Sequence, residues 1–190
     1  MIAAQYEGVR WKLIGQQVQI MQLKLPGPPL DLQTNYVNND SWDGYPQARQ
    51  RLLELISQKN IDNTIFLTGD VHSSWAAAIA PQPYDIFSFN PITQDGAVAV
   101  ELVTPSVTSP TIPIPGLQQL VGDIAFLVPL FNPHIRYIDI KNRGFVKLTI
   151  NHQEVKADWY HVPIVGFRNR LMKKNHSVKI ESGIPKIQEI

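Results

Sequence analysis

The sequence predicts a layered fold of mixed α and β structure, of the α+β kind, and three observations carry that reading. A helix over residues 46–60 delivers the chain straight to a short apolar run, Ile65-Phe66-Leu67, which reads as a buried strand. Two segments near the N-terminus alternate apolar and polar side chains, and the C-terminal third alternates again through three segments. With 190 residues, 44% hydrophobic and 17% charged, the chain has enough apolar material for one domain with a real core. The net charge of +1 supplies no bulk attraction to nucleic acid or to an acidic membrane surface. No cysteine is present, which excludes a disulfide framework and thiolate chemistry. No apolar stretch reaches the roughly 18 residues of a membrane span.

Taken in order, residues 9–15 (VRWKLIG) read as a strand, with Trp11 and Leu13 alternating against Arg10 and Lys12. Gly15, Gln16 and Gln17 end it, and residues 18–25 (VQIMQLKL) read as a second strand. Residues 26–43 hold Pro26, Pro28 and Pro29 and then a cluster of Asn and Asp with Tyr36 and Trp42. They read as a long loop, of the kind more often functional than idle. Pro46 suits the first position of a helix whose apolar face is Ala48, Leu52, Leu53, Leu55 and Ile56, with Arg49 on the solvated side and Asn60 as its stop. Residues 76–80 fit strand or helix, and residues 97–103 (AVAVELV) a strand that carries Glu101 among apolar neighbours. Residues 104–115 are rigid, with threonines and serines that suit turns bonded to the backbone. Residues 116–130 have room for a helix. Residues 136–140, 145–150 and 155–162 read as a three-strand antiparallel meander, its first turn using Gly144 in a left-handed conformation. His152 and His161 read as structural or solvated. Residues 163–190 lose periodicity and gather Arg168, Arg170, Lys173, Lys174 and Lys179, which reads as a tail, draped or loose, after a domain of residues 1–162.

The chemistry concentrates in residues 64–75, TIFLTGDVHSSW. Gly69 breaks the apolar strand, and Asp70 and His72 follow at its C-terminal edge, where open α/β sheets usually place ligands. A carboxylate oxygen and a neutral imidazole nitrogen are both metal ligands, and two of them on a tight turn can converge on one centre or on two adjacent ones. Ser73 and Ser74 add hydroxyls, and Trp75 can wall the site against water. Gln16 and Gln17 end a strand, and an amide oxygen suits a hard cation such as calcium. His134 stands at a loop-to-strand junction, where functional residues gather, and on its own reads first as a hydrogen-bonded structural histidine. No Gly-x-Ser-x-Gly elbow and no phosphate-binding glycine loop occur.

The blocks SWDGYPQARQRLLELI, FLTGDVHSSWAA, VELVTPSVTSP, NPHIRYIDIKNRGFVKL and ADWYHV stand in the order found in the PhoD-like alkaline phosphatase family, which this sequence resembles over roughly residues 6–162. That family is similar to the purple acid phosphatases and other calcineurin-like metallophosphoesterases. The resemblance implies a four-layer α/β/β/α sandwich with metals at the strand ends. It implies hydrolysis of phosphate mono- or diesters at a binuclear metal centre, of iron and calcium, by a metal-bound hydroxide. It also suggests export to the periplasm or medium, although no signal peptide stands in this sequence. Gly69-Asp70-Val71-His72 matches the last metal motif of the wider group, Gly-His-x-His, with aspartate in place of the first histidine. This implies Asp70 and His72 as metal ligands. The earlier strand-end motif falls on residues 11–17 and implies Gln17, less directly Gln16, as a ligand or as the group that orients the hydroxide. His134 is then the candidate donor to a phosphate oxygen or leaving group. Asp43, in the long loop, either sits near the centre or braces the loop, and Arg136 and Arg49 are candidate phosphate contacts. The family's N-terminal motifs, among them Gly-Asp-x-x-Tyr, do not occur in this sequence, which therefore resembles the C-terminal half of such an enzyme and is expected to be inactive alone. A non-catalytic β-rich interaction module is the alternative. A metal-dependent nuclease would share the centre but would want a basic groove.

Overall fold

The computed structural model describes residues 1–27, 31–36, 38–111, 117–162 and 171–190. In chain order the elements are α1 (Ile2–Tyr6), β1 (Lys12–Gln16), β2 (Lys24–Gly27), β3 (Asp31–Tyr36), α2 (Pro46–Gln58), β4 (Thr64–Thr68), β5 (Ser74–Ile79) and β6 (Ala99–Val103). There follow α3 (Leu117–Ile124), α4 (Val128–Phe131), β7 (Ile135–Asp139), β8 (Arg143–Ile150), β9 (Glu154–Val162), β10 (Lys173–Glu181) and β11 (Gln188–Glu189).

Five strands form a mixed sheet in the order β1-β4-β6-β5-β7, and four form an antiparallel sheet in the order β11-β10-β9-β8. The strands of the first sheet that are buried on both faces are mostly apolar: β5 (SWAAAI) and β6 (AVELV) are buried at every position, Ser74 and Glu101 included. One face of this sheet presents Ile65, Ala76, Val100 and Leu102 to Val155, Ala157, Trp159, Val178 and Ile180 of the second sheet, a shared core between sheets. The other face presents Phe66, Trp75, Ala77, Ile79 and Val103 to Leu53 and Ile56 of α2. Helix, sheet and sheet give three of the four expected layers among the described residues, and the mixed α and β architecture is as the sequence reads.

Helix α2 begins on Pro46 and stops where Asn60 takes a φ of 47°. Ile61 N–H donates to Ile56 O at 2.9 Å and Asn60 N–H to Ser57 O at 3.0 Å, which closes the last turn. Its buried face runs Arg49, Leu53, Ile56, so the arginine lies on the core side and not on the solvated side. The spacing of four and three explains this: those positions stack on one helix face.

Further expectations are corrected. Residues 18–23 are not a strand; they cross the sheet as irregular backbone. Residues 26–43 are not loop throughout, because β2 and β3 pair antiparallel. Residues 136–140 do not start a meander, because β7 joins β5 in the first sheet while β8 and β9 pair in the second. Gly144 is nearly extended, with φ 159°, and is needed for another reason: a Cβ there would lie 1.9 Å from the Tyr160 carbonyl oxygen. Finally, Lys173–Glu181 is no loose tail but an inner strand that lines the shared core with Val178 and Ile180. Arg168 and Arg170 lie outside the described residues.

Candidate metal-binding edge

Strand direction decides which loops meet. β1 and β4 run parallel with Gln16 opposite Thr68, and β6 runs parallel on the far side of β4 with Val103 opposite Thr68. β5 enters from that same edge, Trp75 opposite Val103. The segments that leave β1, β4 and β6 and the segment that enters β5 therefore gather at one edge of the sheet. Gln17 leaves β1 there, Asp70 and His72 make the connection from β4 to β5, and residues 104–111 leave β6 there. Gln17, Asp70 and His72 are all exposed.

The Asp70–His72 turn is strained in a particular way. Asp70 has φ 68° and His72 has φ 52°, and the Val71 N–H donates to Gly69 O at 2.9 Å, a three-residue turn centred on Asp70. Left-handed backbone at a non-glycine residue costs free energy and persists only where neighbours impose it. Gly69 itself carries no positive φ, so the bend is made by the two candidate ligands and not by the glycine. Ser73 Oγ donates to Val71 O at 3.0 Å and accepts from Trp75 Nε1 at 2.7 Å, which pins the turn from below. Ser73 and Trp75 are buried and brace the turn; they do not line its open side.

The imidazole of His72 is oriented by the loop after β6. Its Nδ1–H donates to Pro110 O at 3.1 Å, and Thr111 Oγ1 donates to His72 O at 2.6 Å. A backbone carbonyl on Nδ1 fixes the tautomer and leaves the Nε2 lone pair pointing away, the arrangement common to metal-bound histidines. That oriented imidazole is the observation in favour of a metal here. The donor set is partial: among the described residues no three His, Cys, Asp or Glu side chains come together in a ligand-like group. Asp70, His72 and the Gln17 amide fit part of the shell of an ion that takes oxygen and nitrogen donors.

The other sequence candidates take a different place. Residues 19–23 belong to no strand, and side chains from several separate segments bond their backbone and that of Lys24, the first residue of β2. Glu101 accepts from Ile20 N–H at 2.9 Å and Met21 N–H at 2.8 Å. Arg49 Nε donates to Ile20 O at 2.7 Å. His134 Nε2–H donates to Gln22 O at 2.9 Å, and Asp43 Oδ2 accepts from Leu23 N–H at 3.0 Å. Asn132 bonds both the N–H and the C=O of Lys24 at 2.8 Å.

This corrects three expectations and answers a fourth. His134 is fully buried at the far end of the sheet, where its carbonyl accepts from Ala78 N–H, and burial pushes its imidazole down to about 3. It is a neutral backbone partner and not a donor to phosphate. Arg49 is buried and also donates to Ala80 O and Pro81 O, so it contacts backbone and not phosphate. Arg136 Nη1 donates to Pro91 O at 3.1 Å in the loop that leaves the far end of β5, away from Asp70. Asp43 braces its loop, and burial pushes its carboxyl up to about 6.

Ser74 and His161 form a further polar contact, Oγ to Nε2 at 3.2 Å, with Asp139 3.7 Å from His161 Nδ1. Asn175 Nδ2 donates to that Nδ1 at 2.9 Å, so Nε2 carries the proton and donates to the serine. With Ser74 wholly buried, this is packing and not an activated nucleophile.

The chain matches the family model of the PhoD-like phosphatases over residues 3–159. It is 35% identical over 126 residues to alkaline phosphatase D of Bacillus subtilis (strain 168), which takes in 66% of this chain and 19% of that protein. Its fold matches a solved structure described as "Structure of PhoD" with a TM-score of 0.72 at 23% identity, over 95% of this chain and 31% of that one. The chain thus spans about a fifth of the curated relative and under a third of the solved structure. The family match over most of the described fold leads to one conclusion: the chain belongs to the PhoD-like phosphatase family.

Proposed function

We propose that this chain supplies part of the metal centre of a phosphoric ester hydrolase, with Asp70, His72 and Gln17 as its contribution. The observation that carries the reading is the His72 imidazole, held at Nδ1 by Pro110 O and exposed at the edge where β1, β4 and β6 end. A bound cation, iron or calcium on family grounds, would neutralise charge on the phosphate oxygens and on the attacking oxygen. The chain's own residues do the positioning. Asp70 brings a negative charge on a backbone that cannot relax without breaking the Gly69–Val71 turn. His72 brings a lone pair in a fixed direction, and Gln17 brings a neutral oxygen from the neighbouring parallel strand.

Two side chains and an amide hold an ion weakly and leave most of its shell to other groups. In this reading the remaining ligands belong to the part of the family's length that this chain does not span, and the 190-residue chain alone has no turnover. The test uses the purified chain with iron and calcium salts, assayed on an aryl phosphate monoester and on the matching diester. Rates at blank level, together with weak metal binding that Asp70→Ala and His72→Ala both abolish, support the proposal. Metal-dependent turnover by the chain would overturn the incomplete-centre reading, and metal binding indifferent to both substitutions would overturn the ligand assignment.

A further inference from the structure

Glu101 is wholly buried in the middle of β6, and both carboxylate oxygens are engaged. Oε2 accepts from Met21 N–H at 2.8 Å, while Oε1 accepts from Ile20 N–H at 2.9 Å and from Thr68 Oγ1 at 2.6 Å. All three partners are donors, so the ionised, acceptor-only form satisfies every one of them. Burial is the largest influence and holds this carboxyl above the usual carboxylate range, against the opposing pull of the three hydrogen bonds and the nearby Arg49 charge. Ile20 is bracketed by opposite charges, its N–H on Glu101 and its C=O on Arg49.

What this carboxylate joins is specific. Thr68 is the last residue of β4, two positions before Asp70. Ile20 and Met21 lie three and four positions after Gln17, on the segment that leaves β1. Beyond Gln16 that segment has no strand ladder of its own, so side-chain bonds set where it runs. We infer that Glu101, acting through Thr68 and the Ile20–Met21 amides, is a positioning residue that fixes the Gln17 side of the metal edge against the Asp70–His72 side. The inference rests on the metal assignment proposed above. It explains why an apolar strand keeps a buried acid, since one rigid group is bonded to both ligand-bearing segments.

The test is Mn²⁺ titration of the full 190-residue chain by calorimetry, with amide NMR signals followed in the metal-free protein. Thr68→Val keeps the shape and removes the hydroxyl; Thr68→Ser restores it. Thr68→Val should weaken Mn²⁺ binding about tenfold, the lower end for groups that orient metal ligands, and Thr68→Ser should stay near wild type. Thr68→Val should also move the amide signals of residues 17–22 and 69–72 while those of residues 155–159 hold still. Glu101→Gln puts an N–H₂ against an amide donor and should cost at least as much affinity. If that variant does not fold, the threonine pair decides alone. A Thr68→Val protein with lower stability but unchanged Mn²⁺ affinity overturns the inference. Asp70→Ala separates the two failures: lost binding with an unaffected Thr68→Val variant sinks the positioning role alone. Unchanged binding in Asp70→Ala sinks the metal assignment, and the positioning role with it.

Discussion

His134 and Asp43 show what a buried ionisable side chain does when its partner is backbone. Both hold the irregular crossing of residues 18–23, and their titrations pull stability in opposite directions. The His134 imidazole refuses a proton until about pH 3, whereas an unfolded histidine takes one near 6.5. Its contribution is complete above 6.5 and is lost as the pH falls toward 3. The Asp43 carboxyl titrates near 6 against an ordinary 3.8, so its contribution is complete below 3.8 and is lost as the pH rises through 6. Urea midpoints at about pH 7.5 and about pH 4.5 should therefore diverge between variants. His134→Gln should lose less stability on acidification than the wild type, and Asp43→Asn should lose more. Parallel changes in all three proteins would contradict the assignment. Arg49→Leu strands three carbonyls, two of them in buried contacts, and should cost about 2–4 kcal/mol at neutral pH, read from the same unfolding curves. A structural role was open in the sequence for His134 and Asp43, but the backbone groups they hold were not legible there. A junction histidine and a helix arginine became candidates for chemistry only through the family resemblance, and sequence spacing does not reveal which backbone lacks a partner.

Elements were legible where one period governed the side chains. Helix α2 and the apolar strands β4 and β6 stand close to where periodicity and composition put them, since each buries one clean stripe or a continuous apolar run. Residues 18–25 alternate well and still make no strand before Lys24, because the sheet offers them a face and not an edge. Pairing partners were equally hidden: β7 goes to β5 and β10 to β9, choices made by distant segments. Two substitutions at turn and strand level check the geometry in opposite directions. Gly144→Ala drives a methyl group onto the Tyr160 carbonyl and should destabilise by about 2–4 kcal/mol by opening β8 from β9. Asn60→Gly relieves a left-handed asparagine at the end of α2 and should stabilise by several tenths of a kcal/mol. Equal losses at both positions in thermal unfolding would contradict the description of these two backbones.

At the scale of the molecule, the fold brings Asp70, His72 and Gln17 to one sheet edge by making β1, β4 and β6 parallel and β5 antiparallel. The Gly-Asp-x-His pattern marked that edge in the sequence. The positive φ at Asp70 and His72, the hold of Pro110 and Thr111 on His72, and the link through Glu101 and Thr68 did not show there, because each depends on contacts between separate segments. The other candidates belong to the brace beneath residues 19–24 or to the far end of the sheet. The central claim is therefore spatial: a carboxylate and an oriented imidazole form part of a metal shell at this edge. Anomalous diffraction from crystals of the chain grown with MnCl₂ tests it most directly. The account expects a manganese peak about 2.0–2.3 Å from an Asp70 carboxylate oxygen and from His72 Nε2, with Nδ1 still on Pro110 O. A well-ordered Asp70–His72 turn with no peak, or manganese bound only elsewhere on the chain, would contradict it.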